Sequence, residues 1–280
     1  MSGILYIVPT PIGNLGDITA RAAETLSAVD FIAAEDTRVT VRLLNHLGIK
    51  KQLVSYYEHN AVESGEKILS RLIAGESCAI VSDAGTPAVS DPGEALVKSC
   101  AEMGIEVISL PGPCAAIAAL AVSGLSTQRF TFEGFLSVKR KSRFDHLKSL
   151  RAETRTMIFY EAPHKLLTTL GDMLSELGDR RISISRELTK LHEETIRTTL
   201  SQALIHFNDN PPRGEFVLVV EGAAGSDIVN EKTASPAEAA ERVDELRSGG
   251  MKLMEAVRLV SEETGISKNE LYSVCVSTRE

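Results

Sequence analysis

A chain of 280 residues, 43 % apolar and 24 % charged, is long enough to bury a sizeable core spread over two α/β domains. Its formal net charge of −8 excludes a surface that is basic throughout, although a nucleic-acid footprint needs only a local cluster. No apolar run reaches membrane-span length, MSGILYIVPTP lacks a signal-type pattern, and the scattered Cys78, Cys100, Cys114 and Cys275 form no CxxC pair, so a cytoplasmic protein without disulfides or a bound metal is expected.

From the N-terminus, apolar runs of strand length alternate with amphipathic helical patterns. ILYIVPT (4–10) opens as a strand and TARAAETLSAV follows as a helix. FIAAED, a helix through VTVRLLNHL stopped by Gly48, KQLVSYY and the helix AVESGEKILSRLIAG continue the alternation. SCAIVSD leads into GEALVKSCAEMG, ended by Gly104, and IEVISLPGP closes the set. Val/Ile-rich strands separated by helices predict a mainly parallel sheet covered on both faces, over 1–112.

After CAAIAALAVSG come RFTFEGF, RTMIFYEAP, RRISISREL, EETIRTT and GEFVLVVEG, with the helix HKLLTTLGDMLSELG among them. These predict a second α/β domain over 113–222, with a mixed or largely antiparallel sheet. The small, polar stretch 223–235 reads as a linker. Beyond it, over 236–280, PAEAAERVDELRSG, MKLMEAVRLVSEETG and SKNELYSVCV form a helical module, the last two arranged around Gly265 like a helix-turn-helix. Its final helix offers only Lys268 as a base, so DNA is not the expected partner; a packing or RNA-contacting role fits as well.

The distinctive residues follow strands, where an open α/β sheet places its ligand. PTPIGNLGD, AEDTR, SDAGTP and LPGPCAAI bring Gly, Pro and carboxylates to one edge. Neither G-x-G-x-x-G nor a P-loop occurs, so a nucleotide-like ligand needs another constellation. Asp91, with Pro92 at the first helical position, is expected to cap the following helix, leaving Asp83 to accept hydrogen bonds from a ligand. Cys114 opens a helix and reads as a small wall residue rather than a nucleophile. SRELTK gathers Arg186, Glu187 and Lys190, taken alone a surface ion-pair cluster. KRKSRFDHLKSLRAETR places Lys139, Arg140, Lys141, Arg143, Lys148, Arg151 and Arg155 in one stretch, which is either a solvated face or a polyanion contact.

Together LYIVPTPIGNLGDIT, AAEDTR, VSDAGTPAVSDPG, LPGPCAAIAAL, FYEAPHKL, SRELTK and GEFVLVVEG resemble the tetrapyrrole-methylase superfamily, and within it the bacterial small-subunit rRNA (cytidine-2′-O)-methyltransferases. The match runs in order from about residue 4 to 222. The resemblance implies class III methyltransferase architecture, two α/β domains with S-adenosylmethionine held between them. It carries Ile12, Asp83, Gly85, Thr86, Cys114 and Ala115 as cofactor contacts from the first domain, and Tyr160, Leu188 and Gly214 from the second. PTPIGN stands where ring methylases have a G-x-G-x-G-type stretch, which favours RNA as substrate. Small-subunit ribosomal RNA or its subunit would be the partner, met by Lys139, Arg140, Lys141 and Arg143, and relatives commonly form homodimers.

A ribose 2′-hydroxyl needs a proton acceptor and a cation for the developing alkoxide. Asp36 or Glu187 is expected as acceptor, and Arg38 or Lys190 as cation. The competing readings are a methylase of a small substrate such as a tetrapyrrole, and a non-catalytic nucleic-acid-binding adaptor.

Overall fold

In the computed structural model, which describes residues 2–224, 236–264 and 266–277, the first half of the chain forms five parallel strands. β1 (Ile4–Ile7), β2 (Phe31–Ala34), β3 (Gln52–Ser55), β4 (Cys78–Val81) and β5 (Glu106–Ser109) lie in the order β3-β2-β4-β1-β5. FIAA and CAIV are buried at every position, as strands covered on both faces must be, whereas edge strands β3 and β5 are exposed at their end residues and half-buried between them.

Helices α1 (Ala20–Ala28) and α2 (Thr37–His46) bury Leu26 and Leu44 against Ile32 and Val81 on one face. On the other face α3 (Ala61–Ile73) and α4 (Glu94–Glu102) bury Ile68, Leu72 and Leu96 against Phe31 and Ile80. Thr19 and Asp36 start α1 and α2 by accepting from the backbone N–H groups of Ala22 and Arg38.

The second sheet is mixed. β6 (Phe130–Phe135), β7 (Thr156–Glu161), β8 (Arg181–Arg186), β9 (Glu194–Thr199) and β10 (Phe216–Val220) lie in the order β6-β7-β10-β8-β9. Only the β6–β7 pair is parallel. Alternate residues of FVLVV serve two cores: Val217 and Val219 meet α5 (Ala115–Val122), while Phe216, Leu218 and Val220 meet the opposite one. That second core is closed by α6 (Arg140–Ser149), α7 (Leu166–Leu177) and α8 (Leu200–Asp209). Helix α8 is additional to the sequence reading. Thr199 ends β9 and also caps α8, so no turn residues separate strand from helix.

Contacts divide the chain into two compact units, one holding both sheets and the other residues 152–154 with the chain beyond 222. In the latter, α9 (Pro236–Ser248), α10 (Leu253–Thr264) and α11 (Lys268–Ser277) pack around Val243, Val257, Val260 and Leu271. Residues 225–235 of the expected linker, and the Gly265 expected between the last two helices, lie outside the described residues. Among the described residues, no helix is long and apolar enough to cross a membrane.

Candidate active site

Four neighbouring strands, β2-β4-β1-β5, send their following loops to one edge, and hydrogen bonds join the loop after β4 to each of the other three. Asp83 Oδ1 accepts from the Asp36 N–H at 3.1 Å, and the Asp83 N–H donates to Glu35 Oε2 at 3.3 Å. Thr10 and Gly85 exchange two backbone bonds of 2.8 and 2.9 Å, an isolated antiparallel bridge beyond the parallel strands. The Thr86 hydroxyl donates to the Pro113 carbonyl at 2.9 Å. The second sheet joins through Tyr160, whose hydroxyl accepts from the Ala116 N–H in the first turn of α5 at 3.2 Å.

These loops and the ends of β6, β7 and β10 enclose a cleft of about 460 Å³, within the range of small-molecule sites. Ile12, Val89, Phe135 and Leu188 supply apolar wall, and Glu35, Asp83 and Asp91 supply carboxylates. All three carboxyl groups are held above their ordinary range. Burial is the first cause for each, and mutual repulsion adds to it. For Asp91 the shift is from 3.8 to about 6. Burial likewise pushes the Tyr160 hydroxyl to about 12, so it remains protonated. Such a lining gains from a ligand that brings positive charge and hydrogen-bond donors. The sulfonium, ammonium and hydroxyl groups of S-adenosylmethionine fit that description. Among the described residues no three His, Cys, Asp or Glu gather as a metal would require, and all four cysteines are free thiols.

Of the expected cofactor contacts, Ile12, Asp83, Gly85, Thr86, Cys114, Ala115, Tyr160 and Leu188 line the cleft. Gly214 does not. It sits behind the wall at φ +85, where a Cβ would fall 2.4 Å from Glu187 Oε1, so glycine lets Glu187 pack there. Asp91 corrects the sequence reading. Helix α4 is capped by Gly93, not Asp91, and begins only at Glu94. Ala88 and Ser90 both adopt positive φ, and the chain they redirect leaves Asp91 in the cleft.

The candidate catalytic residues are arranged as two ion-paired groups. Asp36 caps α2 and pairs with Arg38 at 2.6 Å; the arginine lowers its carboxyl to about 2, and neither residue lines the cleft. Lys190 binds Glu187 and Glu215, each at 2.9 Å, and its stem lies so close to Gly13 that a Cβ there would strike it. Lys190 lowers the carboxyl of Glu187. Burial opposes the charge on Lys190, but the two carboxylates outweigh it and raise its pKa. A carboxylate stabilised as an anion is a weak base, so the geometry favours Asp91 over Asp36 and Glu187 for taking a proton.

Sequence reasoning missed Asp91 and Phe135 as cleft residues, and it put Glu35 of AEDTR at the cleft edge without giving it a role. The available signal for Glu35 was a carboxylate directly after a fully buried strand. Lys139, Arg140 and Lys141 are exposed at the start of α6. Arg143 departs from that group. It is only 12 % exposed, its Nε donates to Asp172 at 2.6 Å, and its Nη1 donates to the carbonyls of Ser137 and Val138.

The model of the tetrapyrrole (corrin/porphyrin) methylases matches residues 4–204. A ribosomal RNA small subunit methyltransferase I from Synechocystis sp. is 50 % identical over 277 residues, covering 97 % of each chain. The protein so named from Escherichia coli O157:H7 is 47 % identical, covering 96 % of this chain and 93 % of its own. Among solved structures, a diphthine synthase superposes with a TM-score of 0.60 at 13 % identity, covering 81 % of this chain and 93 % of its own. A uroporphyrin III C-methyltransferase from Thermus thermophilus gives 0.56 at 16 % identity, covering 78 % of this chain and 97 % of its own. Likeness at those identities speaks for the fold alone.

Proposed function

Because the chain belongs to the tetrapyrrole methylase family, on the branch of its ribosomal RNA small subunit methyltransferase I relatives, we propose that it methylates the 2′-oxygen of a cytidine ribose in small-subunit ribosomal RNA, in the cytoplasm. S-adenosylmethionine is the methyl donor of this class. The observation that carries the reading is the charge of the cleft, where Glu35, Asp83 and Asp91 all favour a cationic ligand.

When bound, S-adenosylmethionine supplies an activated methyl group, which leaves positioning and proton transfer to the protein. Glu35 and Asp83 accept hydrogen bonds from its polar groups, while Ile12, Val89 and Leu188 keep water from its apolar side. Asp91, ionised above about 6, accepts the hydroxyl proton. Lys190 is the cation for the developing alkoxide, since its partner Glu215 also lines the cleft. Asp36 and Arg38 hold the mouth of α2 in shape. Two copies of the chain pair as a homodimer, which extends the surface offered to a structured RNA.

The test is tritium transfer from labelled S-adenosylmethionine into isolated small ribosomal subunits, followed by nucleoside analysis. Label is expected in 2′-O-methylcytidine. Label on a base, or none in RNA, would overturn the reading.

A further inference from the structure

We propose that a second hollow, beside the cleft, seats a backbone phosphate of the RNA that presents its ribose to the cleft; this rests on the function proposed above. The hollow has a volume of about 300 Å³ and is lined by Ser137, Val138, Arg143, His164, Lys165 and Thr168 among others. It adjoins the cleft along two separate chain segments. Phe135 and Pro163 line the cleft, and Leu136 and His164, the next residue in each case, line the hollow.

Its chemistry is the reverse of the cleft's. The Lys165 ammonium and the His164 ring have no ion-pair or hydrogen-bond partner among the described residues. Arg143 is held rigid by Asp172 and by two carbonyls, yet its Nη2 has no partner among the described residues. The nearby acids are already engaged. Asp172 neutralises Arg143, and Glu161 accepts from the Thr169 hydroxyl and the Ala162 N–H. Lys165, with no ion-pair partner among the described residues, is the cation that lines the hollow, and the free edge of Arg143 stands with it.

Backbone geometry points the same way. Helices α6 and α7, of 10 and 12 residues, begin at Lys139 and Lys165 without a side-chain cap, so their first turns keep donors for an anion. An RNA ribose carries its 2′-oxygen and its 3′-phosphate on adjacent carbons. A ribose whose 2′-hydroxyl enters the carboxylate-lined cleft thus brings a phosphate alongside it, and the adjoining basic hollow is complementary to that group. The exposed Lys139, Arg140 and Lys141 continue the path for further phosphates.

The test compares wild type, a His164→Ala/Lys165→Ala double variant and Lys165→Arg in methylation of isolated small ribosomal subunits across a salt series. In the double variant KM is expected to rise about tenfold or more while kcat changes little. The slope of log(kcat/KM) against log salt should become shallower by about 0.7 for each phosphate that the variant no longer neutralises. Lys165→Arg should retain most of both, and calorimetry should give unchanged S-adenosylmethionine affinity for all three. A double variant with wild-type KM and salt slope overturns the phosphate site alone. A double variant that also loses cofactor binding assigns these side chains to the fold and equally overturns it. A wild-type chain that leaves the RNA unmethylated overturns the proposed function, and this site with it.

Discussion

Asp91 carries its negative charge at a disadvantage in the folded chain, because burial and the neighbouring carboxylates raise its pKa from 3.8 to about 6. A raised carboxyl pKa costs stability in the ionised state: the penalty is absent below 3.8, grows as pH rises through this window, and is complete above about 6. Asp91→Asn should therefore raise the melting temperature of the ligand-free protein above pH 6 and leave it unchanged below 3.8. Binding has the opposite sign. A cation stabilises the ionised carboxylate, so wild-type affinity for S-adenosylmethionine should increase as pH rises through about 6, and the variant's profile should be flatter. Paired thermal melts and calorimetric titrations across that range check both halves. Equal melting shifts at both ends would show that the charge of Asp91 is not the cause.

Helix α5 depends on one hydroxyl from another element. Tyr160 on β7 accepts from the Ala116 N–H, while Phe132 and Phe135 pack edge-on against its ring at 5.1 and 5.5 Å. Tyr160→Phe keeps the ring and removes only the acceptor. It should cost about 1 kcal/mol, lower the melting temperature by about 2–4 °C and weaken S-adenosylmethionine binding through the loosened Cys114–Ala115 wall. A melting curve indistinguishable from wild type would deny the bond a role. Elements of this kind were mostly legible in the sequence, since FIAA and CAIV read as continuous apolar runs and the strands formed by them are fully buried. The order of loops around the cleft was legible for the same reason. What escaped was local conformation: SDPG has the composition of a helix start, and nothing in Ala88 or Ser90 announces positive φ. The choice between Glu35 and Asp36 escaped as well, because adjacent residues after a strand face opposite ways and only the structure fixes which enters the cleft.

At the scale of the whole molecule, an acidic chain must bring a polyanion to a cleft that is itself lined with carboxylates. The exposed Lys139, Arg140 and Lys141 offer the attraction that the net charge of −8 does not. Reversing these three to glutamate should abolish methylation of ribosomal subunits and leave S-adenosylmethionine affinity intact. Normal methylation by the triple variant would reduce the stretch to a solvated face. In the proposed homodimer, mixing this variant with Asp83→Ala should restore part of the activity, provided RNA held by one copy reaches the cleft of the other. A monomer mass by light scattering, or no recovery after verified subunit exchange, would reject that arrangement. The paired backbone bonds between Thr10 and Gly85, with Thr86 on Pro113 and Asp83 beneath Asp36, also bear on how the molecule meets its ligand. Loops fixed to one another during folding have already surrendered their conformational entropy, so a ligand arriving at this edge need not order them. Its binding energy is left for discrimination between the methyl donor and its demethylated product, which differ at the sulfur by one methyl group and one positive charge.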